Sequence, residues 1–309
     1  MRAIAVSASR AEPCPVEVPK PDPGAGEVRV KVEYAALNPL DWQIADSAPD
    51  SAFPLVLGTD FAGRVDMIGS GDNRFRVGDP VFGRATAPPL GRCGAYGEYV
   101  CVPQESPITL TPRDMPLRLA AALPTAGTTA AQILSSTAVR SGLSLLVVGA
   151  TGGVGSFLTQ LAAARGTAVV AAVRGDEKRR MGALGATATV DTALGPEALE
   201  AAVRDLYPDG VDAVVDLVSA DAASFAAHAA LVRDGGVAVT TRGVAAPPGI
   251  AWADFRLVPT APVLDELASA VARGELEVPV DMELPLEKAP QALVQNRAGG
   301  ARGKTVFVI

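Results

Sequence analysis

Val148-Gly149-Ala150-Thr151-Gly152-Gly153-Val154-Gly155 stands between the apolar run 145–148 and an apolar helical stretch through Phe157, Leu158, Leu161 and Ala162. A buried strand, a glycine turn and a helix in that order make a nucleotide-binding βα unit. Gly152 lets the backbone approach a pyrophosphate closely, and Gly155 lets the helix pack against the strand. The helix N-terminus offers N–H groups and the positive end of its dipole to the anion. Ala150 stands where the strict G-x-G-x-x-G pattern has its first glycine, so the flanking strand and helix carry the reading more than the glycines do. Ala150, Thr151, Gly152, Gly153, Val154 and Gly155 are the expected cofactor contacts of this turn.

Working outward, the run 168–173 is a second strand, and it ends in Arg174-Gly175-Asp176-Glu177-Lys178. An NAD site places an acid at that strand end for the ribose 2′-OH, whereas a 2′-phosphate calls for cations and no carboxylate. Arg174 and Lys178 therefore point to NADPH as the cofactor. The competing reading makes Asp176 and Glu177 a helix cap and the two cations a solvated face. Runs at 213–218 and 236–240, separated by Ala-rich helical stretches, add further strands buried on both faces, as in a parallel doubly wound sheet. Loops at the carboxyl ends of such strands line the ligand crevice, so Val218, Ser219, Thr241 and Arg242 are expected near the nicotinamide half of the cofactor.

The first third has a different texture. Glu27-Val28-Arg29-Val30-Lys31-Val32-Glu33-Tyr34 alternates with period two, and short apolar runs follow between Gly58, Gly63, Gly78, Gly83, Pro54 and Pro80. Such a pattern reads as a compact barrel-like β domain. The strand-like tail Lys304-Thr305-Val306-Phe307-Val308-Ile309 is expected to return to that domain's sheet. The fold expected is α/β, with a β-rich domain from 1–121 and 261–309 around a Rossmann-type cofactor domain at 122–260.

Composition narrows the chemistry. The chain has 309 residues, 27 basic and 34 acidic, for a net charge of −7. An acidic balance argues against nucleic acid, whose backbone is held by clustered Lys and Arg. No apolar run approaches the ~20 residues of a membrane span, and no signal-peptide core forms at the N-terminus, so a cytoplasmic protein is expected. One histidine, His228, and three cysteines, Cys14, Cys93 and Cys101, provide neither a multi-histidine zinc site nor a disulfide framework. His228, in Ala226-Ala227-His228-Ala229-Ala230, is expected to be a surface or internally satisfied helix residue, and Cys101 a core residue.

The sequence resembles the medium-chain dehydrogenase/reductase superfamily, in its zinc-free quinone oxidoreductase-like branch. The resemblance runs through Ala36-Leu37-Asn38-Pro39-Leu40-Asp41, Pro54 to Gly63, Val77 to Gly83, Gly94-Ala95-Tyr96-Gly97-Glu98-Tyr99, the glycine turn, Gly235-Gly236 and Arg302-Gly303-Lys304. It implies a GroES-like fold for the β-rich catalytic domain. Where zinc-dependent relatives carry a cysteine ligand this chain has Asn38, and where they carry His-Glu it has Thr59-Asp60. Of their four-cysteine structural loop only Cys93 and Cys101 correspond, so no metal is expected. The resemblance implies a soluble enzyme that transfers hydride from NADPH to a quinone or an α,β-unsaturated carbonyl. It places Asn38 and Thr129 near the nicotinamide and substrate, as catalytic candidates that orient the ring or donate to a substrate oxygen. Each has a structural alternative, Asn38 as a turn former and Thr129 as a helix cap. Asp41 and Asp60 are read as structural acceptors. Gln43 stands where relatives often have a tyrosine, which leaves water as the proton source. Arg242 and Arg297 are open cleft candidates. An enoyl reductase acting on an acyl thioester or polyketide-type intermediate is the enzymatic alternative, and a non-catalytic NADPH-binding redox-responsive protein the other. A homodimer is expected, paired along the last cofactor-domain strand at 255–258.

Overall fold

The computed structural model describes residues 1–85 and 94–309; Cys93 lies outside the described residues. The chain begins with β1 (Arg2–Val6), β2 (Cys14–Glu17), β3 (Glu27–Ala36), α1 (Pro39–Ser47), β4 (Leu55–Val56), β5 (Asp60–Ile68), β6 (Pro80–Arg84), β7 (Tyr99–Pro103), β8 (Ile108–Leu110), α2 (Leu117–Ala121) and α3 (Pro124–Ser136). It continues through β9 (Ser144–Val148), α4 (Gly153–Ala164), β10 (Ala168–Val173), α5 (Lys178–Ala183), β11 (Ala188–Asp191), α6 (Pro196–Leu206), β12 (Val211–Asp216), α7 (Ala222–Ala229), β13 (Val232–Thr240) and β14 (Trp252–Asp254). It closes with α8 (Ala261–Ala272), β15 (Val280–Pro285), α9 (Ala289–Ala298) and β16 (Lys304–Val308). Two compact units result, 1–128 with 259–309, and 129–258. The first boundary falls at 128, against 121 read from composition, because it lies inside α3, where no sequence break marks it.

In the first unit the described strands form a seven-stranded sheet, along the path β15-β16-β3-β5-β6-β8 with β7 added on β3, and a small sheet β2-β1-β4. The alternation of β3 is real. Val28, Val30 and Val32 enter the core while Lys31 is exposed. Arg29, on the opposite phase, is held by Asp66 at 2.7 Å and Asp22 at 2.9 Å. The tail strand β16 returns antiparallel to the end of β3, with Val306 opposite Ala36 and Phe307 opposite Ala35. Leu37 N–H donates to Thr305 O at 2.9 Å, which carries the pairing to the doorstep of Asn38. The position of Lys304 follows from this register.

The second unit is a parallel sheet ordered β11-β10-β9-β12-β13-β14. The order reverses at β9, which has β10 on one side and β12 on the other, so the switch point lies at the glycine turn. Leu146, Val148, Val170, Val214 and Val211 form its core with Leu199 and Val203 of α6. Sequence patterning gave no sign of the edge strand β11, in which only Val190 is buried. The edge expected at 255–258 is corrected to β14. Its pairing runs from Ala238↔Trp252 to Thr240↔Asp254 and stops where β13 runs out. Among the described residues no helix is long and apolar enough to cross a membrane.

Candidate functional site

The turn after β9 has the geometry its sequence requires. Gly149 adopts φ +87°, and a Cβ there would meet Val218 Cγ1 at 2.6 Å, so only glycine fits. At Gly155 a Cβ would lie 2.4 Å from Gly149 O and 2.6 Å from Ala150 Cα, which is the close helix-to-turn packing expected of it. A Cβ on Gly152 would meet only Gly149 O, at 3.5 Å, so that backbone is open to a ligand. Gly152 N–H closes the turn on Gly149 O at 3.1 Å and Ser156 N–H bonds Gly152 O at 2.9 Å. The N–H groups of Gly153, Val154 and Gly155 belong to the first turn of α4, which has no acceptor within its own helix. Ala150 is buried, and Thr151 and Val154 are half-buried. These residues fit a dinucleotide pyrophosphate.

Behind the turn, Arg180 Nη2 donates to Thr151 O and to Ser156 Oγ, both at 3.3 Å. Its Nη1 lies 3.7 Å from Glu177 Oε2 and is buried without a hydrogen-bond partner. An orphaned donor beside an anion-binding turn strengthens the fit. Arg180 escaped the sequence reading because two cations nearer the strand end, Arg174 and Lys178, drew it away. Both of those are exposed, and neither enters an ion pair among the described residues. The end of β10 carries no acid, but the neighbouring strand brings one there. Asp191, opposite Val173, accepts from Gly175 N–H and Ala193 N–H, each at 2.9 Å. Those two backbone donors hold its carboxyl below the usual range. Asp191 therefore spends its charge on the loop that presents Arg174.

Past β12, the Asp216 side chain has no exposed surface and accepts from Val218 N–H and Ser219 N–H, each at 2.9 Å. His228 Nδ1 lies 2.7 Å from its other oxygen, so the lone histidine is internally satisfied. Past β13, Thr240 Oγ1 accepts from Arg242 N–H at 3.1 Å, Thr241 is half-buried, and the Arg242 side chain is exposed. Arg297 pairs with Asp46 through two contacts of 3.1 Å and lies 4.9 Å over the Trp42 ring.

The first unit holds a buried polar cluster at the end of β3. Asn38 caps α1, and its N–H donates to Asp41 Oδ2 at 2.9 Å. Asp41 Oδ1 accepts from Thr59 Oγ1 at 2.9 Å, and Oδ2 from Tyr96 OH at 2.6 Å. Asn38 Nδ2 donates to Thr59 Oγ1 at 3.3 Å and Ala36 O at 3.4 Å. Lys304 Nζ donates to Leu37 O at 2.7 Å and Asn38 Oδ1 at 2.5 Å. Alongside, Asp60 accepts from Thr125 N–H at 2.9 Å and Thr125 Oγ1 at 2.6 Å, with Arg84 Nε 3.7 Å away. Asn38, Thr59 and Asp60 thus spend their polar atoms on one another and on protein neighbours. Both amide hydrogens of Asn38 are engaged internally, so the geometry favours holding α1 over donating to a substrate. Thr129 is buried within α3 and is no cap, since the helix begins at Pro124. The Oγ1 of its neighbour Thr128 is buried without a partner. Among the described residues no group of three or more His, Cys, Asp or Glu could hold a metal ion.

Burial raises the Asp41 carboxyl to about 6, against the pull of Tyr96 and the Asn38 N–H. Burial and the adjacent Asp41 charge push the Tyr96 phenol well above its usual value. Burial lowers the Lys304 ammonium, opposed by the charges of Asp60 and Asp41. Two cations and two carboxylates share this interior, so the cluster balances its charge once Asp41 is ionised.

Known proteins place this architecture. Residues 24–112 match the alcohol dehydrogenase GroES-like domain and residues 184–307 the zinc-binding dehydrogenase model. An NADPH-dependent alkenal/one oxidoreductase of Arabidopsis thaliana chloroplasts is 32% identical over 293 residues, covering 91% of this chain and 71% of its own. A chloroplast envelope quinone oxidoreductase homolog from the same plant is 30% identical over 315 residues, covering 94% and 92%. A mycobacterial protein solved with NADPH superposes with a TM-score of 0.87 at 26% identity over the whole of both chains. The chain belongs to the medium-chain dehydrogenase/reductase superfamily, in its quinone oxidoreductase-like branch.

Asp41 gives this cluster a measurable signature. The folded carboxyl keeps its proton to about pH 6, whereas the unfolded chain releases it near the ordinary value of 3.8. The unfolded state therefore binds fewer protons across that window, and this group's contribution to stability falls as pH rises through it and is flat above. In Asp41→Asn the amide oxygen can serve Tyr96 and the Asn38 N–H while the amide donates to Thr59. The variant is expected to gain about 3 kcal/mol relative to wild type between about pH 4 and about pH 7, measured by urea unfolding. A stability difference independent of pH contradicts the assignment.

Proposed function

We propose that this protein is an NADPH-dependent reductase of quinones or α,β-unsaturated carbonyls. The observation that carries the reading is the open glycine turn at the switch point of a doubly wound sheet, in a chain whose relatives carry those activities in their names. The bound cofactor supplies a hydride equivalent. The first turn of α4 holds the diphosphate through the N–H groups of Gly153, Val154 and Gly155. Arg174 and Lys178, exposed and without ion-pair partners among the described residues, take the 2′-phosphate on a loop pinned by Asp191. Backbone at Val218, Thr241 and Arg242 borders the nicotinamide half, at the carboxyl ends of β12 and β13. Thr129 is the candidate donor to the substrate oxygen on which negative charge develops. Asn38 acts as a strut: it fixes the end of β3 against α1 and leaves the electrophile to accept hydride through its own conjugation.

NADPH and NADH offered with a panel of quinones, enones and enoyl thioesters test the reading, followed by loss of reduced-cofactor absorbance. Turnover with quinones or enones is expected, with NADPH favoured over NADH by at least about tenfold, or ~1.4 kcal/mol. Arg174→Ala with Lys178→Ala is expected to erase most of that preference. Oxidation by enoyl thioesters alone, or equal use of both cofactors, contradicts it.

A cytoplasmic homodimer completes the proposal. The exposed free thiol of Cys14 suits a reducing compartment, and the short edge strand β14 exposes Trp252 and an open ladder suited to two-fold pairing. Light scattering is expected to give twice the chain mass in wild type, and the chain mass itself in Trp252→Pro, which removes an N–H on the outer side of β14. A monomeric wild type overturns this part.

A further inference from the structure

The one histidine of the chain makes a contact that no sequence motif announces. His228 lies near the end of α7, and its Nδ1 reaches Asp216 Oδ2 at 2.7 Å, with Ser219 Oγ 3.3 Å from the same nitrogen. A carboxylate can only accept, so the ring carries its proton on Nδ1. The other oxygen, Oδ1, receives Val218 N–H and Ser219 N–H at 2.9 Å. Burial opposes ionisation of Asp216, but His228, Ser219 and these two backbone donors outweigh it and hold the carboxyl below the usual range.

The loop fixed in this way is joined to the glycine turn. Leu217 N–H donates to Val148 O at 3.1 Å, and Val218 Cγ1 lies where a side chain on Gly149 would stand. Val218 is itself 52% exposed although it covers that glycine. A hydrogen-bonded line therefore runs from the imidazole through a buried carboxylate to two backbone amides and a valine at the rim of the turn. Sheet order gives the line a direction. With β10 on one side of β9 and β12 on the other, a dinucleotide whose 2′-phosphate lies at the end of β10 extends its other half toward β12.

We propose that His228 is a positioning residue: through Asp216 it sets the Val218–Ser219 backbone that receives the nicotinamide half of the cofactor. This rests on the cofactor reading above and extends it to a residue on a helix with no ligand contact of its own. Removing the imidazole leaves one oxygen of a buried carboxylate short of its donor, and the charge is then free to draw the loop amides into another arrangement. An asparagine at 228 keeps an N–H donor on a short side chain, whereas leucine fills the space without one.

Wild type, His228→Leu and His228→Asn are titrated by fluorescence with NADPH and with adenosine 2′,5′-bisphosphate, which lacks the nicotinamide half. Expected is a loss of about tenfold in NADPH affinity in His228→Leu, with bisphosphate affinity held within about twofold, and recovery of most NADPH affinity in His228→Asn. The bisphosphate also reports that the leucine variant is folded. Equal weakening of both ligands, or unchanged NADPH binding in His228→Leu, overturns the role of His228 and leaves the cofactor reading standing. Failure of the wild type to bind either ligand overturns the cofactor reading, and the role of His228 with it.

Discussion

A buried ammonium has to be given acceptors, and the fold of the first unit turns on how Lys304 obtains them. Its Nζ takes the carbonyl of Leu37 and the amide oxygen of Asn38, 267 and 266 residues away in sequence. Leaving such a charge unpaired in the interior costs several kcal/mol. The final strand must therefore lie beside the end of β3, and the β-rich unit is built from both ends of the chain. Asn38, oriented by Lys304 at one end and by Thr59 and Ala36 at the other, caps α1, and Asp41 gathers Thr59 and Tyr96. Arg84 beside Asp60 completes the balance of two positive and two negative groups. Removing Lys304, Arg84 or Asp60 leaves an uncompensated buried charge, whereas burial already favours the neutral form of Asp41.

The second unit obeys a different constraint, that of close backbone approach. Gly149 and Gly155 admit no Cβ because Val218 and the turn's own backbone already occupy the space, while Gly152 is left open. The turn, the α4 N-terminus and the loop after β12 are thus packed as one piece, braced from behind by Arg180 and from the side by the Asp216–His228 pair. Two different solutions to placing polar groups occur in one chain: side-chain cations and carboxylates in the first unit, and backbone amides left open at a glycine turn in the second.

The glycine turn and the buried parallel strands were legible in sequence because they depend on residue type at short spacing. The strands β11 and β14 were not, since edge strands bury little and show no apolar run. The expected acid-free end of β10 was correct for that strand and incomplete for the site, because Asp191 arrives from a neighbour 16 residues from Gly175. The resemblance points to Asn38, Thr59 and Asp60, but nothing in the motif Arg302-Gly303-Lys304 signals that Lys304 bonds Asn38. Spacing cannot reveal a contact that spans most of the chain. The sequence leaves His228 open between a surface residue and an internally satisfied one, because the group that satisfies it, Asp216, is met only through how α7 lies on β12, a tertiary fact. Thr129 was weighed as a cap and proves to be interior to its helix, because α3 starts five residues earlier, at Pro124.

Conjugate reduction is told from carbonyl reduction by where the hydride goes. In conjugate reduction it adds to the carbon β to the carbonyl, the negative charge spreads to the oxygen, and a solvent proton completes the α-carbon. The most direct measurement uses NADPH carrying deuterium at the transferring position of C4, an α,β-unsaturated ketone in ordinary water, and NMR of the product. Deuterium on the β-carbon with protium newly placed at the α-carbon is the predicted result; an alcohol bearing deuterium on the former carbonyl carbon would contradict it.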